Sequence, residues 1–175
     1  MKRFFVLAFL LMVLWSLSHA QHLRIGAAKR VITPDPLLPV SGGIGVPKKA
    51  TEKKGELYAR ALVLEKGSTR VAIVSVDNLG WSSALGDRSR ALIKGIPAQN
   101  VLIGATHTHS APDAYGFPDE TGKTYADLKY IDWCVKQIAE AVNEATEPFP
   151  LVPATRAIWY SRSGWRSLPQ SKNGF

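Results

Sequence analysis

The sequence has little cysteine, little histidine and, beyond residue 20, no long apolar run. Its 175 residues include one cysteine, Cys134, so no disulfide forms within the chain. Stability must come from a packed core, and Cys134 itself reads as a small buried apolar side chain. Later apolar segments are too short or too polar to span a bilayer, which takes roughly 20 residues. Histidine occurs four times, and two of the four stand close together as His107 and His109. No internal repeat and no low-complexity tract is present.

The formal charge of +8 is unevenly placed. Lys2 and Arg3 lie at the start, and Arg162, Arg166 and Lys172 lie in a terminal stretch without acids. Residues 21–160 hold 17 basic and 14 acidic side chains, an ordinary balance for a globular domain. No basic stripe is interleaved with aromatics, so no nucleic-acid partner is expected. The excess allows only a weak attraction to anionic surfaces, membranes included.

The first twenty residues, MKRFFVLAFLLMVLWSLSHA, have a basic start, an apolar stretch and small residues at Ser18 and Ala20. That is the pattern of a secretory signal peptide, and it places the mature protein outside the cytoplasm, secreted or periplasmic. No cysteine follows the cut, so a lipid anchor is not expected.

The rest, residues 21–160, reads as one α/β unit. RIGAAKRVITP is a strand ending at Pro34. The loop DPLLPVSGGIGVPKKATEKKG has too little periodicity for a core element. Its glycines allow either close backbone approach to a ligand or a mobile surface loop. ELYARALVLE and RVAIVSV flank the turn KGST and predict an antiparallel hairpin. SSALGDRSRALIKG predicts a helix from Ser83 to Lys94, with Ser82 or Ser83 capping its start and Gly95 its end. VLIGA, a short continuous apolar run, predicts a buried strand.

The order strand, helix, strand implies a parallel pair, so both strands end on one edge of the sheet. DNLG follows the first strand and THTH the second. Asp77 and Asn78 should therefore lie near His107 and His109, on the edge where ligand sites gather in such sheets. TYADLKYIDWCVKQIAEAVNEAT is the clearest helix. Leu128, Ile131, Val135, Ile138, Val142 and Ala145 recur at intervals of three and four and make one apolar stripe. Lys136 and Glu140 are spaced to pair on its outer face. ATRAIWY predicts a last strand, and the tail over residues 161–175 has no periodicity.

In an extended strand, residues two apart face the same side, so His107 and His109 can address one ion. A tight turn just past the strand has the same effect. Imidazole is a good zinc ligand, and Asp113 and Tyr115 stand close by as a further ligand or a supporting partner. Catalytic zinc usually takes three protein ligands, and the pair supplies at most two. The metallo-β-lactamase pattern does not fit, because Ala111 and Pro112 stand where it needs an aspartate and a histidine. Amidohydrolase barrels open with such a pair after their first strand, whereas here two or three strands precede it.

With ATHTHSAPDAY, LYARA, IGAAKRVITP and VAIVSVDNLG in order, residues 23–160 resemble the N-terminal region of the neutral, non-lysosomal ceramidases. That family's signature is GTHTHSGP followed by a glycine pair and a tyrosine. The resemblance implies a mixed α/β catalytic domain followed by an immunoglobulin-like one. It implies a zinc-dependent amidase that splits the N-acyl bond of ceramide or a related lipid amide. It makes His107 a Zn2+ ligand and His109 a catalytic-site residue beside the metal.

The sequence also departs from the family. Ala111, Asp113 and Ala114 replace glycines, and the loop from Asp35 to Gly55 lacks a glycine-tyrosine-alanine segment. In the family the remaining zinc ligands and the nucleophilic serine lie downstream of the stretch matched here. The chain is therefore expected to be the incomplete N-terminal part of a larger catalytic domain. Its last fifteen residues are expected to mark a truncation or frameshift, and as given it should show no appreciable amidase activity. The other expectations are a different histidine-pair metal hydrolase of the amidohydrolase type, or a non-catalytic exported domain.

Overall fold

The computed structural model describes residues 23–43, 46–47 and 49–146. The signal peptide expected at 1–20, the strand expected at 154–160 and the tail at 161–175 lie outside the described residues. The described part is a four-stranded mixed sheet with two helices. The strands are β1 (Arg24–Val31), β2 (Tyr58–Lys66), β3 (Thr69–Val76) and β4 (Val101–Ala105), in the order β1-β2-β3-β4. β1 and β2 are antiparallel, as are β2 and β3, and β3 and β4 are parallel. The fold is α/β, with the strand–helix–strand unit that the sequence predicts. Among the described residues no helix is long and apolar enough to cross a membrane.

The hairpin forms because alternation brings Ala59, Ala61 and Val63 to one face opposite Val76, Val74 and Ala72. Gly67, at φ 61°, supplies the positive dihedral that a two-residue hairpin turn needs at its first position. Near that turn Glu65 receives Arg24 at 2.7 Å from β1 and Arg70 from β3. The two guanidiniums, Arg70 foremost, hold the Glu65 carboxyl below its usual value of 4.5.

A carboxyl depressed by folding stabilises the protein above its unfolded value and loses that contribution as pH falls through its folded value. Glu65→Gln is therefore expected to cost about 1 kcal/mol at neutral pH. The difference from wild type should vanish in acid, below the usual carboxylate range. Urea unfolding of both proteins from neutral pH to pH 3 checks this. A penalty that persists unchanged in acid would mean that Glu65 acts through packing rather than charge.

Helix α1 spans Ser83–Arg90, and the Ser82 hydroxyl accepts the Leu85 N–H at its start. It stops four residues short of the length the sequence predicts. The reason is tertiary. Asn143, on the second helix, accepts the Lys94 N–H at 2.8 Å and donates to the Leu92 carbonyl at 3.2 Å. These bonds satisfy backbone groups at residues 92 and 94, and the chain leaves the helix through a turn at residues 91–92 instead.

Helix α2 (Leu128–Ala145) is capped by Asp127, whose side chain accepts the Tyr130 N–H at 2.9 Å. Ile131, Val135, Ile138, Val142 and Ala145 are buried as the stripe predicts, and Tyr130, Cys134 and Ala141 extend it. Leu128, in the first turn, remains exposed. Glu140 accepts a hydrogen bond from Gln137 at 3.1 Å, and Glu144 pairs with Arg30 of β1 at 2.9 Å. Cys134 lies fully inside the core, where burial pushes its thiol up to about 12. It is a packing residue, as the sequence suggests.

α2 covers one face of the sheet. The opposite face is also apolar, and there Ile25, Val71, Ile73 and Leu102 are exposed among the described residues. This corrects the expectation for β4. Val101 is buried under the helices, whereas Leu102 points to the uncovered side with 63% of its surface exposed. A continuous apolar run predicts burial on both faces, and here only one face is covered by the described chain.

Candidate active site

The site forms where the parallel strands β3 and β4 end. The Thr106 N–H extends the pairing by donating to the Val76 carbonyl at 2.9 Å. The next residue, His107, has φ 62° and is the one non-glycine residue with positive φ among those described. The left-handed region is uncommon for residues other than glycine, with histidine among the more tolerant, and it turns the chain sharply. Of the two geometries open to the pair, the tight turn is therefore the one adopted. The His107 and His109 rings meet edge to face with centroids 5.3 Å apart.

His107 Nδ1 lies 2.7 Å from the Leu79 carbonyl oxygen. A carbonyl only accepts, so Nδ1 carries the proton and Nε2 of the neutral ring keeps its lone pair. An orienting bond of this kind is what a metal-binding imidazole needs. Asp77 and Asn78 do not fill the role suggested by their position. The Asp77 carboxylate turns back to β2, accepting the Tyr58 N–H at 2.9 Å and pairing with Arg60 at 2.7 Å. Asn78 is fully buried, and its Oδ1 accepts the Leu79 N–H. The segment does reach His107, but through the backbone of Leu79. A backbone contact of this kind leaves no side-chain signature in the sequence.

His109 stands over the glycine-rich loop. The Ser41 N–H donates to the Ala111 carbonyl at 2.8 Å, and Val40 bridges to Pro112, so residues 40–41 are tied to the histidine segment. Gly42, at φ 96°, lies so near His109 that a Cβ there would come within 2.7 Å of the ring. This part of the loop makes a close backbone approach to the site. His109 has no hydrogen-bond partner among the described residues.

Asp113 is not a candidate ligand. It is buried, and its carboxylate accepts the N–H groups of Tyr115 at 2.8 Å, Gly116 at 3.3 Å and Phe117 at 2.8 Å. Its work is to shape the loop that presents Tyr115 and Phe117, whose rings lie 5.5 Å apart. Ala111 and Ala114, which stand at glycine positions of the family signature, are buried in that loop. The histidines, Gly42, Leu79, Tyr115 and Phe117 line a cleft of about 820 Å³. Such a volume, with a mostly apolar wall and a few polar groups, suits a small amphipathic ligand.

The ring separation of the pair meets one condition of a zinc site. Two imidazoles on one tetrahedral zinc have ring centroids roughly 5 Å apart, given Zn–N distances of about 2.0–2.1 Å. Among the described residues no group of three or more His, Cys, Asp or Glu side chains is placed to hold a metal.

No family model matches the chain, and no curated protein matches it. Solved structures do match. Neutral ceramidase from Pseudomonas aeruginosa superposes with a TM-score of 0.61 at 22% identity, over 73% of this chain and 22% of its own. A ceramidase structure described as complexed with C2 gives a TM-score of 0.58 at 23% identity, over 71% of this chain and 21% of its own. The chain thus shares a fold with part of the neutral ceramidases and spans about a fifth of their length.

Proposed function

We propose that this chain carries the histidine pair of a zinc-dependent amidase of the ceramidase type, acting on the N-acyl bond of ceramide or a related lipid amide. The observation that supports it is the His107 ring. It is held at its Nδ1 by a backbone carbonyl, at a strained position after a parallel strand, beside an apolar cleft. The fold likeness to neutral ceramidases supports the same reading. An open mixed sheet does not suit the amidohydrolase barrel, whose strands are all parallel.

In this reading His107 Nε2 is a zinc ligand. When bound, the ion supplies polarisation of the amide carbonyl and a nucleophile of lowered pKa. The Leu79 carbonyl keeps the His107 ring in one tautomer and one orientation. His109, with its ring nitrogens unpartnered among the described residues, would hold or pass a proton in the reaction. The apolar wall takes the acyl chain.

Zinc titration of the purified protein, followed by NMR of the histidine rings, tests the assignment. The His107 and His109 signals should shift together as zinc is added, and His107→Ala should abolish zinc uptake. A His107→Ala protein that still binds zinc and still shifts His109 would sink the ligand assignment.

A further inference from the structure

We propose that Tyr115 is the specificity-determining residue of this cleft, reading the length of a linear apolar chain with its ring and the polar head of the ligand with its hydroxyl. The proposal rests on the reading that the cleft beside the histidine pair is the substrate site.

Three observations carry it. The first is the contact with Gly80. A Cβ built on Gly80 would lie 2.1 Å from the Tyr115 hydroxyl oxygen and 2.2 Å from Cζ. The head of the ring therefore rests on the bare backbone of residue 80, and only glycine permits it. The preceding carbonyl, Leu79, is the one that holds His107. One peptide unit, Leu79–Gly80, thus seats both the imidazole and the phenol, and it fixes the position of one relative to the other.

The second is the state of the side chain. Tyr115 is 54% exposed, and its hydroxyl has no hydrogen-bond partner among the described residues. A tyrosine held for structure alone usually buries its ring or pairs its hydroxyl. Here the ring stands between Phe117 and Gly80, and Tyr115 lines the same cleft as the two histidines. The unpaired donor and acceptor lies against the Gly80 backbone.

The third is rigidity. The three N–H bonds to the Asp113 carboxylate hold the backbone of residues 115–117 in place. The wall is set before a ligand arrives, which lowers the ordering cost of binding.

A ligand that suits both ends has an unbranched alkyl or acyl chain for the ring and an amide or hydroxyl group for the phenol. Each methylene laid against a one-sided wall should tighten binding about twofold, half of the roughly fourfold that complete burial gives.

The test is isothermal titration of the zinc-free protein with N-hexanoyl-, N-octanoyl- and N-decanoylethanolamine. From the shortest to the longest, wild type should tighten by roughly 16-fold. Tyr115→Phe should keep that slope and weaken all three ligands by a common factor of about five to ten. Tyr115→Ala should flatten the series to less than about threefold. Gly80→Ala, which removes nothing and only pushes the phenol aside, should flatten it likewise. Should Gly80→Ala fail to fold, Tyr115→Ala and Tyr115→Phe still decide, because the ring is half exposed.

A wild-type series without a slope, or a Tyr115→Ala series with the wild-type slope, overturns the proposal. Both arms are read without metal and without turnover. If the slope depends on Tyr115 while a His107→Ala protein still binds zinc and still shifts His109, the specificity role stands and the ligand assignment fails. If zinc binds through His107 and the slope ignores Tyr115, the reverse holds.

Discussion

Ile138→Ala is expected to lower the thermal unfolding midpoint by roughly 10 °C, from a loss of about 2–5 kcal/mol. The reason lies in the sheet as much as in the helix. The strands present mainly small side chains to α2, among them Ala28, Ala59, Ala61 and Ala72, all buried. Short side chains let the helix come close, but they leave the filling of the core to the helix. Ile138 is fully buried in that cluster. Alanines across the sheet have no reach with which to close the hole that its truncation leaves, so most of the cavity persists.

Leu128→Ala is the control, since Leu128 sits in the same periodic stripe but is exposed. It should move the midpoint by no more than about 1–2 °C. Circular dichroism melts of the two variants check the pair. Equal small shifts would mean that α2 does not pack as described.

The second large effect is expected at Gly42. Gly42→Ala places a side chain at φ 96°, where L-residues are strained, and a methyl group 2.7 Å from the His109 ring. The strain alone costs on the order of 1–3 kcal/mol. The clash must also be relieved by moving either the loop or the imidazole. The loop is tied by the Ser41–Ala111 hydrogen bond and by the Val40–Pro112 bridge, so the ring yields first.

The His109 ring signals should therefore shift in the metal-free protein, while those of His107, held by Leu79, stay in place. The response of His109 to added zinc should fall at least tenfold. Gly43→Ala meets open space and should leave both rings unchanged. Unchanged His109 signals in Gly42→Ala, or equal effects at both glycines, would show that the loop is not built against the site.

Much of the fold is legible from residue pattern. The alternation through Ala59, Ala61 and Val63 and the turn at Gly67 specify the hairpin, because a two-residue period and a positive-φ turn leave few other pairings. The spacing from Ile131 to Ala145 specifies α2 for a similar reason. The parallel pairing of β3 with β4 follows from chain order. The length of α1 is not legible, because it depends on Asn143, which lies far along the chain. Nor is the exposure of Leu102, because an apolar run does not say how many faces of a sheet are covered.

The candidate site divides along the same line. The sequence by itself determined that two histidines follow a strand of a parallel pair, and so lie at a sheet edge where ligands gather. It did so because strand direction and order are local consequences of connection length and handedness. Only the tertiary structure decided which groups face them. Asp77 and Asp113 carry the chemistry expected of ligands, yet both spend their carboxylates on backbone N–H groups, and Asp77 on Arg60 as well. The contacts that shape the pair come from the Leu79 carbonyl and the bare backbone of Gly42, while the bare backbone of Gly80 seats the ring of Tyr115. Carbonyls and missing Cβ atoms are the same in every sequence context. Their role appears only when segments far apart in the chain are brought together, and packing does that here.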